Sequence, residues 1–313
     1  MEKRILKFRK YAWLVLVYTL LVILWGAYVR ATGSGAGCGG NWPLCNGQVV
    51  PRSPAAETVI EYTHRLMRGL SLILVGGLIF QAFRVFPRGH RARRFAVLSG
   101  LFLVVEALLG AGLVWLGFVA HNASIGRAFY MPAHLTNTLV LLAVIALTAW
   151  SARESVPPLK FRGKPKVMLA AVPVALVLYV TGALAALGDT LYPLASAAAG
   201  MRQETADSAS MLLRLRMLHP AVALVVGAFL LMTALAALKS RPTPQVRRHA
   251  IGLMGMVFVQ LVAGASNLAL LAPVWMQIVH LLLADLLWIA LVILLAEAFA
   301  ERPGLKHQLA REG

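Results

Sequence analysis

The stretch YAWLVLVYTLLVILWGAYV, residues 11–29, contains no charged side chain. A helix needs about 20 consecutive apolar residues to cross the hydrocarbon core of a bilayer. The stretch shows no alternation of apolar and polar residues, which is the pattern of a membrane β-strand. It therefore predicts a membrane-spanning α-helix. Because Tyr28-Val29-Arg30 is not a small-residue cleavage site, we expect this helix to be retained as an anchor rather than removed as a signal peptide.

Seven further apolar blocks of similar length follow along the chain. The 313 residues have a mean hydropathy of +0.75 and only 13% charged side chains, against about 25% in a soluble domain. In lipid, only helices and closed barrels satisfy their own backbone hydrogen bonds. The sequence thus predicts an all-α integral membrane protein with eight transmembrane helices, the other seven spanning 66–83, 95–118, 132–150, 167–187, 215–238, 251–271 and 275–300.

The net charge of +18 is distributed by topology. Basic residues cluster in four segments, 3–10, 84–94, 153–166 and 239–248, which lie before the first helix and in every second connection. This positive-inside pattern predicts a protein of the cell membrane with both termini in the cytoplasm. The basic segments would also be attracted to anionic lipid, and their distribution argues against nucleic-acid binding. The fifth connection is expected outside and contains Asp189, Arg202, Glu204 and Asp207. The sequence of this polar segment, residues 189–214, does not indicate a role for it.

The two halves of the chain resemble each other. VVEALLGAG (104–112) matches FVQLVAGAS (258–266), and AHLTNTLVLLAVI (133–145) matches VHLLLADLLWIALVI (279–293). YVRATGSG (28–35) is paired with YVTGALAALG (179–188) by Tyr28 and Tyr179. Four helices separate the matching segments, so the repeats have the same orientation. We expect two tandem, pseudo-symmetric four-helix bundles, residues 1–160 and 161–313.

Four of the eight histidines occupy matching positions in this repeat. Each of them lies in the first turns of an even-numbered helix. All four imidazoles should therefore lie at a similar depth near the outer surface. Histidine in a membrane helix is costly and marks either function or a satisfied interhelical hydrogen bond. Two histidines on facing helices can ligate a haem iron axially, and Gly69, Gly110, Gly112 and Gly264 would leave room for the macrocycle. The pattern favours one bis-histidine haem in each half, at His64 with His134 and at His219 with His280.

The remaining histidines receive other interpretations. His121 belongs to an outer loop, and His90, His249 and His307 lie among cytoplasmic cations, where we expect them to be solvated.

The surroundings of the histidines differ between the halves. Glu61 precedes His64 by three residues and projects from the same face of its helix, whereas Arg216 has that position before His219. Because the carboxylate occurs in only one half, we expect this half to catalyse a reaction and the other half to transfer electrons. Glu61 could instead be an acid favoured by the helix macrodipole. Arg65, Arg68 and Arg216 are candidates for pairing haem propionates.

Cys38 and Cys45 are the only cysteines, and both lie in the loop after the first helix. This loop faces the oxidising side of the membrane, where disulfides persist. A structural staple worth about 2–3 kcal/mol, a redox-active pair and a metal site are all open from the residues alone.

TGSGAGCGGNWPLCNGQVVP (32–51) followed by EYTHR (61–65) resembles the signature of the haem A synthase family. The resemblance covers nearly the whole chain, including the four repeated histidines. It implies oxidation of the C8 methyl of haem O to a formyl group by successive hydroxylations, giving haem A for cytochrome oxidase.

The resemblance also implies the role of individual residues. His64 and His134 would hold the substrate haem O, and His219 and His280 the iron of a haem b cofactor. Cys38 and Cys45 would form a disulfide over the first site, and Glu61 would be needed for activity. The implied partners are haem O synthase and cytochrome oxidase assembly factors.

Three other functions explain part of the sequence. A dihaem electron-transfer cytochrome accounts for the histidines but not for Glu61 or the cysteine loop. A transporter built on repeats would place broken helices near the midplane, whereas the polar residues here cluster at the outer end. A prenyltransferase that makes haem O would need an Asp-rich magnesium-diphosphate motif, which the sequence lacks.

Overall fold

The computed structural model describes residues 1–193, 196 and 211–301, so His307, Arg202, Glu204 and Asp207 lie outside the described residues. Eight long helices in this part of the chain are apolar enough to cross a membrane, which confirms the predicted all-α membrane fold. They are α1 (Glu2–Ala31), α2 (Ala56–Val85), α3 (Arg91–Trp115), α4 (Ile125–Trp150), α5 (Lys166–Leu191), α6 (Met211–Ser240), α7 (Pro244–Ala269) and α8 (Val274–Phe299).

Several helices extend beyond the apolar blocks that predict them. α1 begins at Glu2 and includes the basic residues that precede the first block, and α2 begins at Ala56 instead of Leu66. Hydropathy locates the part of a helix that lies in lipid, whereas backbone hydrogen bonding continues through polar residues outside it. The longer α2 places Glu61 and His64 inside a helix, and all four repeated histidines lie in the first three turns of even-numbered helices.

Helices that follow each other in the chain pack side by side, and α1 also contacts α4 as α5 contacts α8. The central helices are α4 and α8, which pack against each other and have the largest buried fractions among the eight. At their contact, the indole Nε1 of Trp288 donates a hydrogen bond of 2.7 Å to the carbonyl of Leu139. The division into two pseudo-symmetric bundles stays a prediction.

Polar contacts join the first four helices to the last four at both ends. At the histidine end, Arg30 on α1 donates to the carbonyl of Ala186 (2.5 Å), to Thr190 (2.5 Å) and to the side-chain oxygen of Gln277 (3.0 Å). At the opposite end, Glu297 on α8 accepts hydrogen bonds from Trp150 (2.8 Å) and from Arg153 (3.2 Å). These contacts join α1 to α5 and α8 at one end and α4 to α8 at the other.

The expectation that His90 is solvated is wrong. Its Nδ1 accepts from the backbone N–H of Ala92 at the start of α3, and its Nε2 lies 3.1 Å from the carbonyl of Arg153. Its ring stacks on Phe86 with centroids 4.3 Å apart. Burial lowers the pKa of His90, and the Arg153 carbonyl opposes this shift. The neutral ring therefore serves as a helix cap, because its two nitrogens have one acceptor and one donor role.

Candidate functional site

The loop between α1 and α2 is closed by a disulfide between Cys38 and Cys45, with an S–S distance of 1.99 Å. Both cysteines are fully buried. The backbone N–H of Asn46 donates to the carbonyl of Cys38 (2.9 Å), and the N–H of Cys45 donates to the carbonyl of Gln48 (2.9 Å). The cysteines are thus joined to each other within a small, internally bonded loop.

Glu61 and Arg65 attach this loop to α2. The Glu61 side chain is buried, and its Oε2 accepts a hydrogen bond of 2.8 Å from the backbone N–H of Cys38. Its Oε1 accepts from Arg65 at 3.1 and 2.5 Å, and Arg65 also donates to the carbonyls of Asn41 (3.0 Å) and Leu44 (2.5 Å). Glu61 and Arg65 therefore form a charged clamp on both sides of the disulfide loop.

Gly37 brings the loop into direct contact with the α2 backbone. The hydroxyl of Thr58 donates to the Gly37 carbonyl at 2.8 Å. A Cβ atom at Gly37 would lie 2.5 Å from the carbonyl oxygen of Glu57 and 2.6 Å from the backbone nitrogen of Thr58. Backbone atoms cannot move aside as a flexible side chain can, so only glycine permits this approach.

The structure brings His64 and His134 close enough for electrostatic interaction. The His64 ring lies against Gly26 of α1, where a Cβ would be 2.9 Å from its Cε1. The Nδ1 of His64 has no hydrogen-bond partner among the described residues. The Nδ1 of His134 lies 3.4 Å from the Oε1 of Glu106 on α3. The first pair of imidazoles therefore has one ring beside a carboxylate.

Three polar side chains surround Glu106. Its carboxylate accepts hydrogen bonds from Asn137 (2.6 Å) and Thr138 (2.7 Å), which follow His134 by about one turn of α4. Arg68 donates to the backbone carbonyl of Glu106, and its guanidinium occupies the space beside Gly110. Sequence reasoning missed Glu106, although the repeat already aligns it with Gln260.

His219 and His280 likewise lie close enough for electrostatic interaction. The Nδ1 of His219 lies 3.0 Å from the hydroxyl of Thr181. The amide nitrogen of Gln260 lies 3.3 Å from both ring nitrogens of His280 and donates to its backbone carbonyl at 3.2 Å. Arg216 donates to the Tyr192 carbonyl at 3.0 Å and approaches Asp189 at 3.4 Å. The second pair thus has only neutral partners at its ring nitrogens.

Glycines face three of the four imidazoles. A Cβ at Gly182 would lie 3.1 Å from the Cε1 of His219, and one at Gly264 would lie 3.1 Å from the Cε1 of His280. The corresponding distance from Gly26 to the Cε1 of His64 is 2.9 Å. Gly264 therefore fits the expected role, whereas Gly110 and Gly112 adjoin Arg68 and Tyr130, and Gly69 has nothing nearby. Gly26 and Gly182 occupy equivalent positions in the two halves, since each lies where an imidazole crosses the preceding helix. This alignment differs in register from the pairing of Tyr28 with Tyr179.

These residues fit a haem better than a bare metal ion. Each pair offers two imidazoles, and no group of three or more His, Cys, Asp or Glu side chains that could hold a metal ion occurs within the described ranges. A structural zinc site needs four such ligands, whereas a haem iron takes its equatorial ligands from the porphyrin.

Residues 9–292 match the COX15-CtaA family, described as cytochrome oxidase assembly protein. The chain belongs to this family. It is a multi-pass membrane protein, and the family resemblance of the loop and the histidines is thereby confirmed.

Curated relatives carry two different names. A Thermus thermophilus protein named "Protoheme IX farnesyltransferase" is 46% identical over 306 residues, which cover 97% of this chain and 50% of the relative. "Heme A synthase" proteins of Halalkalibacterium halodurans and Alkalihalophilus pseudofirmus are 40% and 36% identical over 127 and 146 residues. Those matches cover 41% and 47% of this chain and 42% and 48% of the relatives. The chain thus spans about half the length of the curated relatives it matches.

Gly37→Ala should open the disulfide loop, because the added methyl collides with the α2 backbone. We expect Cys38–Cys45 to be reduced at least about tenfold faster by a mild phosphine, measured by alkylation of the released thiols and mass spectrometry. Gly40→Ala is the matched control, since a Cβ at Gly40 meets nothing within 4 Å. Equal reduction rates for the two variants would show that the approach of Gly37 to α2 does not hold the loop.

Proposed function

We propose that this chain is a haem A synthase, an oxidoreductase that converts the C8 methyl of haem O to a formyl group by successive hydroxylations. Family membership supports haem-related chemistry in cytochrome oxidase assembly. The observation that carries the proposal is the disulfide loop that Glu61 holds one turn before His64, on the side of the bundle where His134 lies within electrostatic reach. A simple electron carrier gains nothing from this loop.

The two histidine pairs would divide the work. We propose that residues 1–160 bind haem O through His64 and His134, and that residues 161–313 bind haem b through His219 and His280. Bound haem b would supply one-electron redox chemistry, and His219 and His280 would hold its iron. The protein would fix the imidazoles through Thr181 and Gln260 in the second half.

The charge pattern supports a cell-membrane orientation with both termini in the cytoplasm and both haem sites toward the outer face. The disulfide supports the same orientation, since it adjoins the histidine end and disulfides persist outside the cytoplasm. Haem O is an amphipathic ligand, and these sites at the ends of membrane helices suit its apolar ring and charged propionates.

Glu61 would act on the substrate methyl and hold the loop at the same time. Oxidation of a methyl group releases protons and builds positive charge on the carbon. A carboxylate can accept such a proton and can stabilise such a charge. Arg68 lies against Gly110 in the first site and is the best placed of the proposed propionate partners. Arg65 and Arg216 already pair with Glu61 and Asp189, so they would reach propionates only in addition to these contacts.

The relatives support a partner that makes the substrate. The Thermus protein named for farnesyl transfer continues over about as much chain again as this match covers. We propose that the unmatched half of that relative performs the transfer, and that haem O synthase passes haem O to this chain. Cytochrome oxidase assembly factors would take haem A onward.

The function is tested by producing the chain in a bacterial host that makes haem O but no haem A. Haems extracted from the purified protein and from the membranes are separated by chromatography and identified by mass. Haem A is expected only with the chain present. A dihaem electron carrier would instead copurify with haem and leave haem O unchanged, and this result would contradict the proposal.

Glu61→Gln should lower the yield of haem A by about 100-fold, because the amide cannot take a proton or stabilise positive charge. The amide oxygen can still accept from the Cys38 N–H, so the protein should fold, keep its disulfide and bind both haems. Haem O or a singly hydroxylated product should accumulate. Glu57→Gln is the control, since Glu57 is an exposed carboxylate in the first turn of the same helix. A wild-type yield from Glu61→Gln would refute the chemical role, and loss of all haem would show a structural one.

A further inference from the structure

The four imidazoles differ in the groups that face their Nδ1 atoms. His64 has no partner there among the described residues, His219 faces the Thr181 hydroxyl, and His280 faces the Gln260 amide. Only His134 has a charged group there: the Oε1 of Glu106 lies 3.4 Å from its Nδ1, which is an ion-pair distance but not a hydrogen bond in this geometry. A ligating imidazole whose second nitrogen donates to a carboxylate becomes a stronger base toward the metal. The protein therefore treats one axial ligand differently from the other three.

We propose that Glu106 is a positioning residue for His134 that lowers the reduction potential of the haem iron in the first half below that in the second. This inference rests on the proposed haem sites at His64–His134 and His219–His280. It does not depend on the conversion of haem O to haem A.

The surroundings of Glu106 orient it toward His134. Asn137 and Thr138 lie on the same helix as His134 and donate to the two oxygens of the carboxylate, at 2.6 and 2.7 Å. The side chain is only 13% exposed, so its contacts are little weakened by solvent. The Thr138 hydroxyl also lies 3.0 Å from the His134 carbonyl, which joins the carboxylate to the backbone of the ligand. A network satisfied in this way holds one orientation.

The second half has the same architecture without the charge. The repeat aligns Glu106 with Gln260, and the structure places both of them beside the imidazole of the next helix. At the positions of Asn137 and Thr138 the second half has Leu283 and Ala284, which cannot donate to a carboxylate. The difference therefore involves the facing group and both of its donors.

The charge has a definite effect on an iron ligated by His134. A proton donated from Nδ1 to a carboxylate leaves more electron density on Nε2, which stabilises the ferric state over the ferrous state. An amide carries no net charge and gives a weaker effect. The haem at His134 should therefore be the easier of the two to oxidise, an order that suits removal of electrons from a substrate in the first half.

The test exchanges the two groups. Full-length Glu106→Gln and Gln260→Glu proteins, loaded with both haems, are titrated spectroelectrochemically, and each haem is assigned by repeating the titration with His280→Ala or His134→Ala added, which leaves one haem. Glu106→Gln should raise the midpoint potential of the first haem by about 59 mV or more, a tenfold change in its oxidised-to-reduced ratio. The second haem should not shift. Gln260→Glu should lower the potential of the second haem alone.

Two controls make the outcome specific. Glu106→Asp keeps the charge and should keep the low potential. Glu297→Gln removes a partly buried carboxylate 17 residues beyond His280, about 25 Å along α8, and should shift neither haem. If Glu106→Gln loses the first haem, Gln260→Glu decides alone, because it places a carboxylate beside His280 and leaves the first half unchanged.

Unchanged potentials in both Glu106→Gln and Gln260→Glu, or an unchanged potential of the second haem in Gln260→Glu when Glu106→Gln loses the first haem, would overturn the inference. A failure of the proposed function is distinguishable, since it would leave haem O unconverted in the wild type while the difference between the two potentials persists.

Discussion

An imidazole inside an apolar helical bundle needs room for its ring and a partner for its outer nitrogen, and much of this structure follows from that requirement. For three of the four histidines, Gly26, Gly182 and Gly264 supply the room on the preceding helix. Thr181 and Gln260 supply neutral partners. These contacts set how closely neighbouring helices approach at one end of the protein, and they bring the histidines together in two pairs. A planar macrocycle with two axial positions fits such pairs.

The disulfide loop adds a second constraint to the first pair only. Glu61 is buried and bonded to both the loop and Arg65, so the carboxylate that the sequence suggests for chemistry also determines where the loop lies. A group with both tasks connects closure of the site with its reactivity. Glu106 gives the same half a second carboxylate, at the other axial ligand. Both charges belong to the half that we propose for the substrate.

The eight helices and the depth of the four histidines could be predicted from sequence, because apolar length and the order of repeats are local properties. The hydrogen bond from Cys38 to Glu61 and the glycines at positions 26 and 182 could not, since they depend on how neighbouring helices and their connecting loop pack in three dimensions. Glu106 lies between these cases. Its alignment with Gln260 is visible in the repeat, but only the structure shows that both residues face a histidine. His90 was misjudged because a basic neighbourhood does not reveal a helix-capping contact.

The division of labour between the two histidine pairs is the central claim, and haem analysis of two variants tests it most directly. Purified His134→Ala and His280→Ala proteins, produced with a supply of haem O, are extracted and their haems quantified per protein. We predict that His280→Ala loses haem b and keeps haem O, whereas His134→Ala keeps haem b and loses haem O. Wild-type haem b in His280→Ala, or equal loss of both haems in both variants, would contradict the account.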